Sequence, residues 1–351
     1  MEKKYALMDA LSSRGSEFLG SRHPVICGAM TWVSDPGLVS AVSAAGGFGC
    51  LAGGNAPVEV LKAQIEETRR LTDRPFGVNL ITISPAYHAQ LEMLKGLERP
   101  VSHVVFAGGV PRDREVAEMK ACGSRVMCFA PTLALGERLL RFGADALVLE
   151  GAEAGGHVGQ VSTMVLVQQI LFQLGERVPV FVAGGIGTGR LAAHLLLMGA
   201  AGVQLGTRFV MTRECSVHDR FKELLAHSAA HDAAVTAQFD ARVPVSAVRA
   251  IRNQGTAEFG RLQLRLVRQV EEGTLSRQDA QLELERFWMG ALRRAAVEGD
   301  VEQGSVMSGQ SVGLFQRMQT VQEVMDGLMA DGEAELARLQ GLLGARASQN
   351  A

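Results

Sequence analysis

Residues Glu150 to His157 read E-G-A-E-A-G-G-H at the end of an apolar run, and this segment carries the most usable chemistry in the chain. A histidine framed by glycines offers acid–base chemistry beside exposed backbone. Two further glycine-bearing strand ends follow, Ala183-Gly184-Gly185-Ile186 and Gln204-Leu205-Gly206-Thr207. Turns of this kind present N–H groups that cradle a phosphate. Either loop alone is explained by tight turning. All three, at the spacing of consecutive strand–helix units, predict a phosphate-bearing cofactor with His157 beside it.

These loops need strands to carry them. Short apolar segments alternate with helical ones from the start to about residue 210: 24–30, 47–53, 75–81, 103–108, 125–130, 146–151, 179–186 and 202–209. They are continuously apolar, as parallel strands buried on both faces should be. Helix candidates lie between them at 57–71, 112–122, 133–142, 163–174 and 188–199. Eight strand–helix units predict an α/β fold, a (β/α)8 TIM barrel; a doubly wound sheet is the rival and rarely strings eight such units together. Beyond residue 215 the alternation stops. Residues 216–300 read as a small helical lid domain inserted into a barrel made of 1–215 plus 301–351. An amphipathic helix near 321–339 then supplies the barrel's last outer helix, and the tail 345–351 is expected to fray.

Composition removes several function classes. The chain has 351 residues, 47% of them apolar, with 35 basic and 37 acidic side chains and a net charge of −2. That balance argues against nucleic-acid binding, which needs a basic face. No apolar run reaches a membrane span, and the opening MEKKYALMDALSSRG lacks a signal-peptide core, so a cytoplasmic protein is expected. The five cysteines show no zinc-site spacing and read as buried thiols. His218, His227 and His231 lack Cys or carboxylate partners at convincing spacing, so no metal site is expected. His103 opens a strand and His194 lies in a helix, so both read as packing or surface residues.

In such a barrel the chemistry sits at the C-terminal strand ends, and the loops after strands seven and eight form its commonest phosphate site. Gly184-Gly185 and Gly206-Thr207 fall there. A Gly28-Ala29-Met30 turn, Asn79 at the end of the third strand, Glu150 and Gln204 are expected to converge on the mouth. That lining suits a flat, polar-edged ring such as a flavin. Gly187-Thr-Gly189-Arg-Leu-Ala192 matches the dinucleotide fingerprint GxGxxA, but no carboxylate closes the next strand. It is expected to be a phosphate loop of the barrel instead.

With these residues the chain resembles the flavin-dependent nitronate monooxygenase-like superfamily, and within it the FMN-dependent enoyl-acyl-carrier-protein reductases of the FabK type. The resemblance spans roughly residues 20–340 and rests on Gly28 to Val33, Gly53-Gly54-Asn55-Ala56-Pro57, Pro75 to Asn79 and the three loops above. Ala247 to Asn253 and Gly304 to Gln310 extend it. It implies a barrel holding FMN through Met30, Asn79, Glu150, Gly155, Gly185 and Gln204 to Thr207, with a lid over the flavin and a homodimer as the assembly. His157 is implied as the catalytic residue beside the flavin. NADH or NADPH is the implied co-substrate, and a small-molecule or carrier-bound acyl thioester the substrate, with acyl carrier protein as a partner. A nitronate monooxygenase, an NAD(P)H:quinone reductase and a non-enzymatic flavin-binding subunit are the alternatives. The sequence departs from the reductase pattern at Phe106 to Pro111 and across Ala237 to Pro244.

Overall fold

The apolar runs close on themselves. The computed structural model describes residues 4–349 apart from 242, 245 and 246. Strands β1 (Val25–Cys27), β2 (Phe48–Ala52), β3 (Gly77–Ile81) and β4 (His103–Ala107) lead into β5 (Arg125–Phe129) and β6 (Ala146–Glu150). A two-residue strand, β7 (Gly156–His157), precedes β8 (Val180–Ala183) and β9 (Gly202–Leu205). All but β7 run parallel in a closed barrel, sealed where β9 pairs with β1 and Gln204 registers with Ile26. The expected (β/α)8 architecture is present.

Helix α1 (Ala6–Leu19) precedes the barrel. Helices α2 (Pro36–Ala44), α3 (Val58–Leu71), α4 (Tyr87–Lys95), α5 (Asp113–Ala121) and α6 (Leu133–Arg141) follow the first five strands in turn. After β6 and β7 come α7 (Thr163–Leu166), a π turn at Val167–Leu171 and α8 (Phe172–Leu174). Helix α9 (Gly189–Leu197) follows β8, and α10 (Thr207–Val210) with α11 (Asp219–His227) follow β9. The start of α2 is typical of how these helices begin: Asp35 accepts from the Leu38 amide at 2.9 Å, and Pro36 opens the first turn.

Alternation along the strands separates two cores. Val78, Leu80, Leu147, Leu149, Val203 and Leu205 face outward into the layer beneath the helices. Ile26, Phe48, Cys50, Val105, Met127, Val148 and Phe181 fill the barrel itself. Each such buried side chain contributes about 1.5–3 kcal/mol. Helix α1, which the sequence reading did not include, closes the bottom of the barrel. Gly15 lets it touch the Ala201 carbonyl, where an added Cβ would sit 1.8 Å from the oxygen. Phe18 meets the His103 ring edge-on, and its carbonyl lies 2.9 Å from His103 Nε2. Burial pushes the His103 imidazole down to about 4, so it stays neutral. Four cysteines are buried, Cys122 is half-buried, and all five are free.

The chain then leaves the barrel through β10 (Ala233–Val235), β11 (Val248–Ile251), α12 (Gln254–Glu271) and α13 (Arg277–Ala296). Phe259, Leu262, Leu266, Leu284 and Trp288 form a separate small core, with the Phe259 and Trp288 rings 4.3 Å apart. Phe221 and Leu225 of α11 belong instead to the barrel's outer core. The expectation for 216–300 was helical throughout; the segment also holds β10 and β11, which join β7 in a three-stranded antiparallel sheet. Residues 242, 245 and 246 of that segment lie outside the described residues. Helix α14 (Val321–Gln349) returns to the barrel and packs on α9. It runs through Gln349, into the stretch expected to fray, whose last two residues are not described. Among the described residues no helix is long and apolar enough to cross a membrane.

Candidate active site

Inward alternation decides which polar residues reach the barrel's upper end. Val148 faces the interior, so Glu150, two residues on, does too. Glu150 registers with Ala183 on β8, and Ala183 with Gln204 on β9, so the two polar residues flank one alanine. Gly28 closes the row: a Cβ there would stand 3.0 Å from Gln204 Nε2. Among the described residues no charged group shifts the Glu150 carboxyl, and desolvation pushes it up to about 8. That raised value favours the protonated, hydrogen-bond-donating form at neutral pH.

Asn79 differs from expectation. It lies in the middle of β3, not at its end, because the strand continues through Leu80 and Ile81. Its side chain is buried in the barrel, and Nδ2 donates to the Val105 carbonyl at 3.1 Å. The Gly28-Ala29-Met30 turn is held by Ser34, a residue the sequence reading passed over. The Ser34 hydroxyl donates to the Gly28 carbonyl at 2.8 Å and accepts from the Met30 amide at 3.0 Å. In the same loop Trp32 is half exposed with φ of 64°, an uncommon conformation for a bulky residue. The Arg293 guanidinium of α13 lies 5.9 Å from its ring centre, so the barrel mouth meets the inserted segment here.

Both predicted phosphate loops are built around absent side chains. Gly184 and Gly185 have φ of +100° and +72°. A Cβ on Gly184 would press on the Gly151 backbone at 2.9 Å, and one on Gly185 would meet Glu153 Cβ at 3.0 Å. Gly206 caps α10, and Met30 Sδ sits 3.5 Å from where its Cβ would project. Among the described turn and loop hydrogen bonds, the amides of Gly184, Gly185, Gly206 and Thr207 have no acceptor. The Thr207 hydroxyl is engaged elsewhere, accepting from the Gly309 amide at 2.9 Å. Gly155 packs on that same segment, where a Cβ would be 2.5 Å from Gly309 N. The Gly304 to Gln310 stretch therefore buttresses the site from outside.

His157 is exposed and stands on β7, not on a barrel strand. Its backbone pairs with Val248 of β11, and the Val158 amide donates to the Ala247 carbonyl at 2.9 Å. Among the described residues its imidazole meets no protein hydrogen-bond partner. The preceding loop is pinned by Glu153, whose carboxylate accepts from the Thr163 amide at 3.0 Å and its hydroxyl at 2.8 Å. Neither Glu153 nor Thr163 carried a sequence signal beyond its position after β6.

The dinucleotide-like run, expected as a phosphate loop, is helix packing instead. Gly189 opens α9, and a Cβ there would fall 1.9 Å from the Leu328 carbonyl of α14. Gly187 makes room for Leu314 and Phe315. Those glycines serve close contact between elements and need no nucleotide.

The inward polar residues and the glycine loops thus collect at one end, where this fold keeps its catalysis, and the chain is an oxidoreductase of the (β/α)8 class. It belongs to the nitronate monooxygenase family, whose model matches residues 12–331. It is 33% identical over 278 residues to the nitronate monooxygenase of Pseudomonas aeruginosa, covering 66% of this chain and 78% of that one. A Rhodococcus jostii enzyme, (3aS,4S,5R,7aS)-5-hydroxy-7a-methyl-1-oxo-octahydro-1H-indene-4-carboxyl-CoA dehydrogenase, is 30% identical over 95% of this chain and 99% of its own. The structure of FabK from Thermotoga maritima superposes with a TM-score of 0.82 at 34% identity, covering 94% of this chain and 98% of the other.

Proposed function

We propose that this oxidoreductase binds FMN at the barrel mouth and uses NADH or NADPH to reduce the C2=C3 bond of an enoyl thioester. The observation that carries the flavin reading is the pair of glycine loops after β8 and β9. Their amides are unengaged, and a side chain at Gly184 or Gly185 would collide with the neighbouring loop. They suit a phosphate dianion. Bound there, FMN would supply hydride transfer from the nicotinamide to the thioester's β-carbon. The protein's own work is positioning. Glu150, protonated at neutral pH, would offer a hydrogen bond to the ring edge, with Gln204 beside it. The His157 imidazole would hydrogen-bond the thioester carbonyl and favour the charge that develops there.

End-to-end likeness to FabK and to a CoA-thioester dehydrogenase supports a thioester as substrate. Acyl carrier protein or CoA as the carrier, and a homodimer as the assembly, belong to the same proposal. A second reading, nitronate oxidation with oxygen, is favoured by the family match and by the Pseudomonas relative. In it His157 would take the α-carbon proton of the parent nitroalkane, leaving the nitronate that is oxidised. Anaerobic stopped-flow of the FMN-loaded protein separates the two. Enoyl reduction requires bleaching by NADH or NADPH and reoxidation by an enoyl-CoA or enoyl-carrier protein. Bleaching by an alkyl nitronate, with no response to either nicotinamide, would replace it with nitronate oxidation.

A further inference from the structure

Arg249 lies in β11, the central strand of the small sheet, and is only 7% exposed. Its Nε and Nη2 both donate to the Ala152 carbonyl, at 3.2 and 2.8 Å, and its Nη1 donates to the Ala233 carbonyl. Among the described residues no carboxylate forms an ion pair with it. Glu153 is the acidic group nearest in effect, and its oxygens are taken by Thr163. Removing a guanidinium from water is costly. Here that cost is offset by carbonyl contacts alone, which points to a geometric duty.

The duty follows from where the contacts fall. The backbone of Arg249 is registered with Gly156, next to His157, while its side chain grips Ala152 at the other end of the same loop. Between the two grips lie Glu153, Ala154 and Gly155, and the second grip falls on Gly156, at φ of +74°. Paired glycines leave such a segment with many accessible conformations. Arg249 holds both ends of it, and its third contact ties the clamp to β10.

We propose that Arg249 is a positioning residue that fixes the His157 imidazole over the barrel mouth and makes its placement depend on the inserted segment. The inference rests on the reading of His157 as the group that meets the organic substrate. A lysine cannot reproduce the fork: one ammonium lacks the planar donors that serve Ala152 and Ala233 together.

The test compares R249M, R249K, H157A and the double variant H157A/R249M as FMN-loaded proteins. R249M is expected to slow reoxidation by the organic substrate about 10- to 100-fold, with flavin affinity and reduction by the nicotinamide within about twofold of the parent. R249K should fall between. The double variant should be no slower than H157A, because the two losses share one cause. Losses that multiply, or flavin release in step with the rate, would overturn the proposal. Nitrogen-detected NMR of the His157 ring, which needs no substrate, reads the same point: one resolved ring signal in the parent, a shifted or broadened one in R249M. An unchanged ring signal in R249M, or in R249K should R249M not fold, also overturns it. If the parent turns over neither substrate class, the functional reading fails, and this spectrum still decides the role of Arg249.

Discussion

His157 and Val248 face each other across an antiparallel ladder. His157 therefore takes its backbone position from a strand of the inserted segment, not from the barrel strand that precedes it. Movement of α12 and α13 would carry β11 with it, and β11 would carry the imidazole.

Replacing His157 with alanine should leave FMN bound and slow the half-reaction with the organic substrate by about a hundredfold, a typical loss for a positioned acid or base. Flavin reduction by NADH should change less. Rapid-mixing absorbance of each half-reaction checks this, and wild-type turnover of both enoyl thioester and nitronate would make His157 structural.

The purified protein should be yellow with one noncovalent FMN per chain. G206E should abolish flavin retention by placing a carboxylate where the phosphate is expected, and G185V should do so by forcing a β-branched residue into φ of +72° against Glu153. Gly327, in open space on α14, is the control. Its alanine variant should keep the flavin and gain about 0.5–1 kcal/mol. Flavin fluorescence after gel filtration reads all three.

Glu150 should give the flavin-free protein a distinctive pH response. Its folded value of about 8 stands above the ordinary carboxyl value of about 4.3. Between those limits the folded state holds a proton that the unfolded chain has released, so this group lowers stability as pH rises from about 4 to about 8. E150Q should remove that slope and be relatively more stable at pH 8 than at pH 5. Parallel pH–stability curves for the two proteins would show that the carboxyl is not held protonated.

Glu335 has the opposite sign. Its buried carboxylate accepts from Arg338, from His194 and from Arg190, which joins α14 to α9 and holds its pKa well below the usual carboxylate range. A depressed folded value means stabilisation that is complete above about pH 5 and fades as the solution turns acid. E335Q should melt below the parent at pH 7, and the gap should narrow in acid. A gap that stays constant down to pH 3 would remove the ion cluster as its cause.

The barrel strands were legible because parallel strands covered on both faces must be apolar throughout, as in Val180–Ala183, and because Gly184 and Gly206 punctuate their ends. Local composition alone therefore determined the eight-strand repeat and the return of α14 to the barrel. The tertiary structure decided the rest. A strand as short as Gly156–His157 has no period to read, so its pairing with Val248 exists only through a partner far along the chain. Gly189, read in a phosphate-loop motif, proves to open α9 against the Leu328 carbonyl, and Gly15 lets α1 reach the Ala201 carbonyl, contacts that exist only once the elements pack. Asn79 and Glu150 were visible as polar residues in apolar runs. Only barrel closure showed that Asn79 is spent on the Val105 carbonyl and that Glu150 is desolvated enough to raise its pKa, because burial and partner are properties of neighbours in space.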